Sequence, residues 1–158
     1  MTNPLHIDAP DGVPFIDIVR EFDAPVSAVF RAFSEPDLIR RWLGPDGYEM
    51  DIEEYSFVSG GRYRYVHRSP EGGVFAFNGV FHVVRPDEFA IQTFEWDGAP
   101  DQVSIESLTF TALDGGRTRL STHATYPSQE TRDAMVTSGM EHGVSEGYRK
   151  LDELVGSK

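Results

Sequence analysis

Apolar and polar residues alternate with period two over most of the chain, and the pattern turns helical in only two stretches. Phe15–Phe22 (FIDIVREF) sets Ile16, Ile18 and Phe22 on one face against Asp17, Val19 and Glu21 on the other, as a half-buried strand does. Asp23 and Pro25 predict a capped helix start running through Phe33. Pro36 opens a second short helix, PDLIRRWL, which stops before Gly44-Pro45. Six candidate strands follow: Tyr48–Tyr55, Arg62–Arg68, Val74–Arg85, Phe89–Trp96, Val103–Leu113 and Thr118–Thr125. The turn clusters SGG, SPEGG, RPDE, DGAPD and DGG separate most of them. From Ser128 to Val155 the period is helical again, with Val136, Met140, Val144, Tyr148, Leu151 and Val155 at spacings of 4, 4, 4, 3 and 4. Met1–Pro14, with three prolines and a glycine, reads as a flexible N-terminal arm, and 15–158 as a single domain.

This order (strand, two short helices, six strands, one long helix) predicts an α+β fold. Sequential strands joined by short turns form an antiparallel meander of about seven strands, and the long C-terminal helix is the one large element that can cover its buried face. A curved sheet wrapped around that helix closes the domain.

Parity across one hairpin orients the sheet. If SPEGG sets Arg68 opposite Val74, then His67 faces Phe75, Tyr65 faces Phe77 and Tyr63 faces Gly79, all on one aromatic side. Arg62, Arg64, Arg68 and Asn78 fall on the other side and suit water. Tyr63, Tyr65, His67, Phe75, Phe77, Phe81 and Val83 are thus expected to face the helix, joined by Tyr48, Met50 and Ile52 on the preceding strand. Leu108 and Phe110 join them on the penultimate strand, with Glu106 beside them. Such a face is ordinary core unless something holds it open. Tyr48, Tyr63, Tyr65 and His67 carry polar atoms that suit a pocket lining better than a dry core. Gly139, Gly143 and Gly147, four residues apart, form a bare stripe beside Met140, Val144 and Tyr148 on the helix. Each costs about 1 kcal/mol of helix stability relative to alanine. The stripe therefore either admits a close-packed neighbour or leaves a cavity.

Composition narrows the function classes. Twenty-six acidic against 14 basic side chains give a net charge of −12, which disfavours nucleic acid and anionic membrane surfaces. With no cysteine, disulfides, thiolate catalysis and cysteine-ligated metals are excluded. The histidines at 6, 67, 82, 123 and 142 lack ligand spacing, so no metal is expected, and no nucleotide or dinucleotide motif calls for a cofactor. No apolar run approaches a membrane span, and the N-terminus does not resemble a signal peptide, so a cytoplasmic protein is expected. Glu106 is the leading acid–base candidate if buried, with His67 second; the alternatives are a hydrated or arginine-paired glutamate and a satisfied core histidine.

The stretch EFDAPVSAVFRAFSEPDLIRRWLGPDGY resembles the opening of the activator-of-heat-shock-protein-ninety-ATPase homologue family, within the START-related superfamily of polyketide cyclases, lipid-transfer proteins and pollen allergens. The matching features are Ala24-Pro25, Trp42, Gly44-Pro45, the SGGRYRY strand start, Gly79 and the segment TSGMEHGVSEGYRKLDELV. The resemblance implies a helix-grip fold with a cavity between sheet and C-terminal helix, and it adds Trp42 to the expected lining. The family often carries a glutamate four residues after the glycine matching Gly79, where this chain has Val83. The eukaryotic chaperone activators carry a further N-terminal domain, whereas fourteen residues precede the first strand here, so a chaperone partner is not expected. The leading expectation is binding of a small apolar or aromatic molecule, with room for a homodimer. The alternatives are a cofactor-independent cyclase, dehydratase or hydrolase, and a chaperone-interacting module.

Overall fold

The computed structural model describes residues 3–156. The strands are β1 (Leu5–Asp8), β2 (Phe15–Phe22), β3 (Glu49–Tyr55), β4 (Arg62–Arg68), β5 (Val74–Arg85), β6 (Phe89–Trp96), β7 (Ser104–Leu113) and β8 (Arg117–Thr125). The helices are α1 (Val26–Ser34), α2 (Pro36–Ile39), α3 (Gln129–Thr137) and α4 (Met140–Gly156). All eight strands form one antiparallel sheet in the order β1-β2-β8-β7-β6-β5-β4-β3. Apart from the β2–β8 pairing, which β1 extends, it is the predicted meander. Helices α1 and α4 pack on its inner face.

The predicted register is the observed one on β4 and β5, where Arg68 pairs with Val74, His67 with Phe75, Tyr65 with Phe77 and Tyr63 with Gly79. The outward arginines meet acids as the parity requires: Arg64 holds Asp97 at 2.7 Å and Arg68 holds Asp51 at 2.8 Å. Gly79 is needed for a steric reason. A Cβ there would lie 2.1 Å from the Thr93 carbonyl and 2.6 Å from the Tyr63 ring, which passes over the bare backbone to donate its hydroxyl to that same carbonyl.

Four local expectations are corrected. The N-terminal arm is not loose: Leu5–Asp8 pairs with Asp17–Arg20 as an edge strand, and Leu5 and Ile7 pack on Ile16 and Ile18. Four residues bounded by Pro4 and Pro10 give too short a pattern to stand out in sequence. Asp23 does not cap α1, whose first residues follow Pro25 with no side-chain cap; its carboxylate accepts from Arg117 Nε at 2.9 Å instead. On β5 a register shift between Phe81 and Val83 turns the strand over, so Val84 rather than Val83 packs on the core. A bulge flips parity beyond it, which simple alternation cannot foresee.

The last correction concerns the long helix. Gly139 adopts φ 89°, a left-handed conformation that ends one helix before Met140 starts the next. Val136, 41% exposed on α3, is therefore not part of the face carried by Tyr148 and Leu151, and Gly139 drops out of the glycine stripe. Gly143 and Gly147 remain, and the segment 42–48 crosses α4 over them. A Cβ on Gly147 would come within 3.1 Å of the Trp42 carbonyl oxygen, and one on Gly143 would sit 3.6 Å from Pro45 Cγ. Close approach of the strap accounts for Gly147, whereas Gly143 makes only an ordinary contact with it. Polar contacts latch the strap: Arg149 donates to both Asp46 carboxylate oxygens at 2.8 Å, and the Asp46 N–H donates to Glu146 Oε1 at 2.9 Å.

Candidate functional site

The inner face divides into two clusters of side chains. One, beneath α1 and the strap, joins Phe22, Phe30, Phe33, Trp42, Met50, Phe57, Tyr63, Tyr65, Phe81, Leu108 and Phe110. The other, beneath α3 and the start of α4, joins Ile16, Ile18, Ala124 and Tyr126 with Met135, Met140 and Val144. Tyr148 on α4 packs against both. A polar seam on the central strands lies beneath it. Gln92 on β6 stands directly opposite Glu106 on β7, and Gln92 Nε2 donates to Glu106 Oε1 at 2.8 Å. Thr122 on β8 adds a hydroxyl that makes no hydrogen bond of ordinary geometry.

Glu106 stands on the inner face and is only partly covered. Tyr148 on α4, and Gln92, Phe77 and Phe94 on the same inner face, are also only partly covered. Together these partly covered side chains border a candidate cleft between sheet and α4. Phe77 and Phe94 stack with centroids 5.2 Å apart and form one wall.

Burial pushes the Glu106 carboxyl above its ordinary value, opposed by the Gln92 hydrogen bond. Its charge reaches four phenols. Tyr63, Tyr65, Tyr126 and Tyr148 are each raised, first by burial, and each by the field of Glu106 as well. Tyr148 is pushed up to about 12, with Thr122 and Arg20 pulling the other way. No Lys, Arg or His among the described residues pairs with Glu106. Arg20 and Arg132, which influence the phenols of Tyr148 and Tyr126, are held by Asp152 at 3.0 Å and Asp133 at 2.8 Å.

The tyrosines fall into two groups. Tyr55 donates to the Phe33 carbonyl and Tyr63 to the Thr93 carbonyl, each at 2.5 Å, and are structural. The hydroxyl of Tyr65, a residue only 6% exposed, makes no hydrogen bond to any described residue, and that of Tyr126 makes none either. Buried hydroxyls are normally bonded, so these two are available to a guest.

The remaining expected lining residues take several roles. Trp42, 2% exposed, donates Nε1 to the Ala32 carbonyl at 2.9 Å and is closed off by α1. Met50, Phe81, Leu108 and Phe110 are likewise spent in the first cluster, Phe110 edge-on to Phe33 at 5.5 Å. Tyr48 and Phe75 stand at the strap end of the cleft beside His67. His67 is 6% exposed with Nδ1 unbonded, and burial, seconded by Lys150, pushes its pKa down to about 4. A Cβ on Gly44 would lie 2.6 Å from the His67 ring, so the histidine is wedged under the strap. Met140 and Val144 border the second cluster, Gly143 lies under Pro45, and Gly139 sits at the α3–α4 break.

Gln92, Phe94, Thr122 and Tyr126 were not anticipated. The strand FAIQTFEW is apolar on both parities, and nine residues separate Phe94 from its partner Ser104, so neither pattern nor turn fixes which side Gln92 takes. Among the described residues no group of three or more His, Asp or Glu could hold a metal ion, and no helix is long and apolar enough to cross a membrane.

The family described as Activator of Hsp90 ATPase homolog 1-like protein matches residues 23–156. Among solved structures, a Rhodobacter sphaeroides protein is 26% identical with a TM-score of 0.87, covering 97% of this chain and 99% of its own. A Mycobacterium smegmatis protein is 23% identical with a TM-score of 0.87 over 98% and 99% of the two chains. The AHSA1 protein from Silicibacter pomeroyi is 22% identical with a TM-score of 0.72 over 90% and 97%. No curated protein matches the chain.

Proposed function

The chain belongs to the family of Activator of Hsp90 ATPase homolog 1-like proteins, and from that premise we propose that it binds a small apolar or aromatic molecule in the cleft between sheet and α4. Family and fold are of a ligand-binding type in general. The observation that carries the reading is Glu106, bonded to Gln92 alone among the described residues and set among partly covered aromatic side chains on the inner face. Apolar walls with a few convergent polar groups are the usual make-up of a small-molecule site. The test is titration with N-phenyl-1-naphthylamine, a neutral dye whose fluorescence rises in apolar surroundings. The expected result is saturation at one equivalent, lost in Val144→Trp, which adds bulk to α4 one turn before Tyr148. Absence of saturable binding would refute the proposal.

A second reading is favoured by the carboxyl itself. A glutamate raised by burial and facing free phenols can move a proton on a bound molecule, with a phenol stabilising the charge that develops. In that case Glu106→Gln abolishes turnover and leaves affinity within a few-fold. A variant that keeps its turnover refutes this reading and leaves the binding proposal standing.

A further inference from the structure

We infer that the cleft selects molecules whose apolar body carries a single N–H or O–H donor, and refuses carboxylates, because Glu106 on its lining has, among the described residues, no cationic partner and one oxygen without a protein donor. This rests on the binding proposal above and specifies its ligand.

The hydrogen-bond inventory leads to this class. Gln92 occupies one oxygen of Glu106, and no other donor among the described residues reaches the carboxyl. The second oxygen is therefore an acceptor without a protein partner, on a partly covered residue that a guest can reach. A guest N–H or O–H meets that need. A guest carboxylate places a second negative charge beside the first with little water to screen it. The two guanidiniums that could offset this, Arg20 and Arg132, are already bound to Asp152 and Asp133. The net charge of −12 adds to the bias against anions. Phe77, Phe94 and Tyr148 supply flat surface for the body of the guest.

The experiment measures affinities of four probes of one shape for the whole chain at pH 7.5: 2-naphthol, 2-naphthylamine, 2-naphthoate and 2-methylnaphthalene. The account expects the naphthol and the amine each to bind at least tenfold more tightly than the naphthoate, with methylnaphthalene between. The amine arm separates N–H from O–H donors, and both are expected to be accepted. In Glu106→Gln the gap between naphthol and naphthoate shrinks to within threefold, mainly because the naphthoate gains affinity. A naphthoate that binds wild-type protein as tightly as the naphthol overturns the inference while leaving the binding proposal intact. Failure of all four probes, methylnaphthalene included, overturns both.

Discussion

The two ends of the inner face are built from the same residue types and are used differently. Under α1 and the strap, aromatic rings pack densely and three polar groups are tied to backbone: Trp42 to Ala32, Tyr55 to Phe33, Tyr63 to Thr93. Around Glu106, rings are only partly covered and the phenols of Tyr65 and Tyr126 have no partner. Residue identity alone does not separate the two ends; the destination of each polar atom does. The first region holds the domain together, and the second keeps polar groups that no described residue engages.

The comparison breaks most visibly at Trp42. Trp42→Ala removes a buried indole and its hydrogen bond, and is expected to cost about 3–5 kcal/mol in urea unfolding. A loss under 1 kcal/mol would mean that the first region is not the structural one. The strap gives the next effect. Gly147→Leu must displace the Trp42 carbonyl and is expected to cost about 1–3 kcal/mol. Gly143→Ala meets only an ordinary contact with Pro45 and should gain up to about 1 kcal/mol from helix propensity. Equal effects at the two glycines would contradict the crossing described for the strap.

The tyrosines sharpen the contrast at single-atom scale. Tyr55→Phe and Tyr63→Phe each leave a buried carbonyl unmet and are expected to cost about 1–3 kcal/mol. Tyr65→Phe removes a hydroxyl that bonds nothing and should change stability by about 0.5 kcal/mol or less. Chemical unfolding of all three decides it.

The smallest effects are in pH dependence, and their signs differ. Burial raises Glu106 above its ordinary 4.5, so from there up to its folded value the native state holds a proton the unfolded chain has released. Stability therefore falls as pH rises through that window, and Glu106→Gln removes the slope. His67 is pushed down to about 4 from 6.5, so between these values the unfolded chain binds a proton the native state refuses. Stability is lost as pH falls through that window, and His67→Gln flattens it. In thermal midpoints from pH 4 to 8, the stability of Glu106→Gln relative to wild type should grow as pH rises, and that of His67→Gln as pH falls.

Most of the fold was legible because alternation and turn residues act locally. The β4–β5 register followed from one turn assignment, and Glu106 followed from its parity with Leu108 and Phe110. What escaped depended on longer-range geometry. The bulge near His82 moved the core contact from Val83 to Val84, and a single positive φ at Gly139 divided a helix whose apolar spacing runs on unbroken. The glycine stripe was visible, but its reason was not, since the strap that crosses it comes from a segment 100 residues away. The cleft was only half visible: the partner of Glu106 lies on a strand with no usable alternation, and no spacing in sequence says which of six tyrosines keeps a free hydroxyl.

The most direct test is a carbon-13 NMR titration of protein labelled at tyrosine Cζ, using N-phenyl-1-naphthylamine as the added molecule. If the region around Glu106 is the binding cleft, the Cζ signals of Tyr65 and Tyr148 move progressively to a one-to-one end point while those of Tyr55 and Tyr63 stay in place. Movement of Tyr55 and Tyr63 with Tyr65 and Tyr148 unchanged, or no movement at any tyrosine, would contradict the division of the inner face on which the account depends.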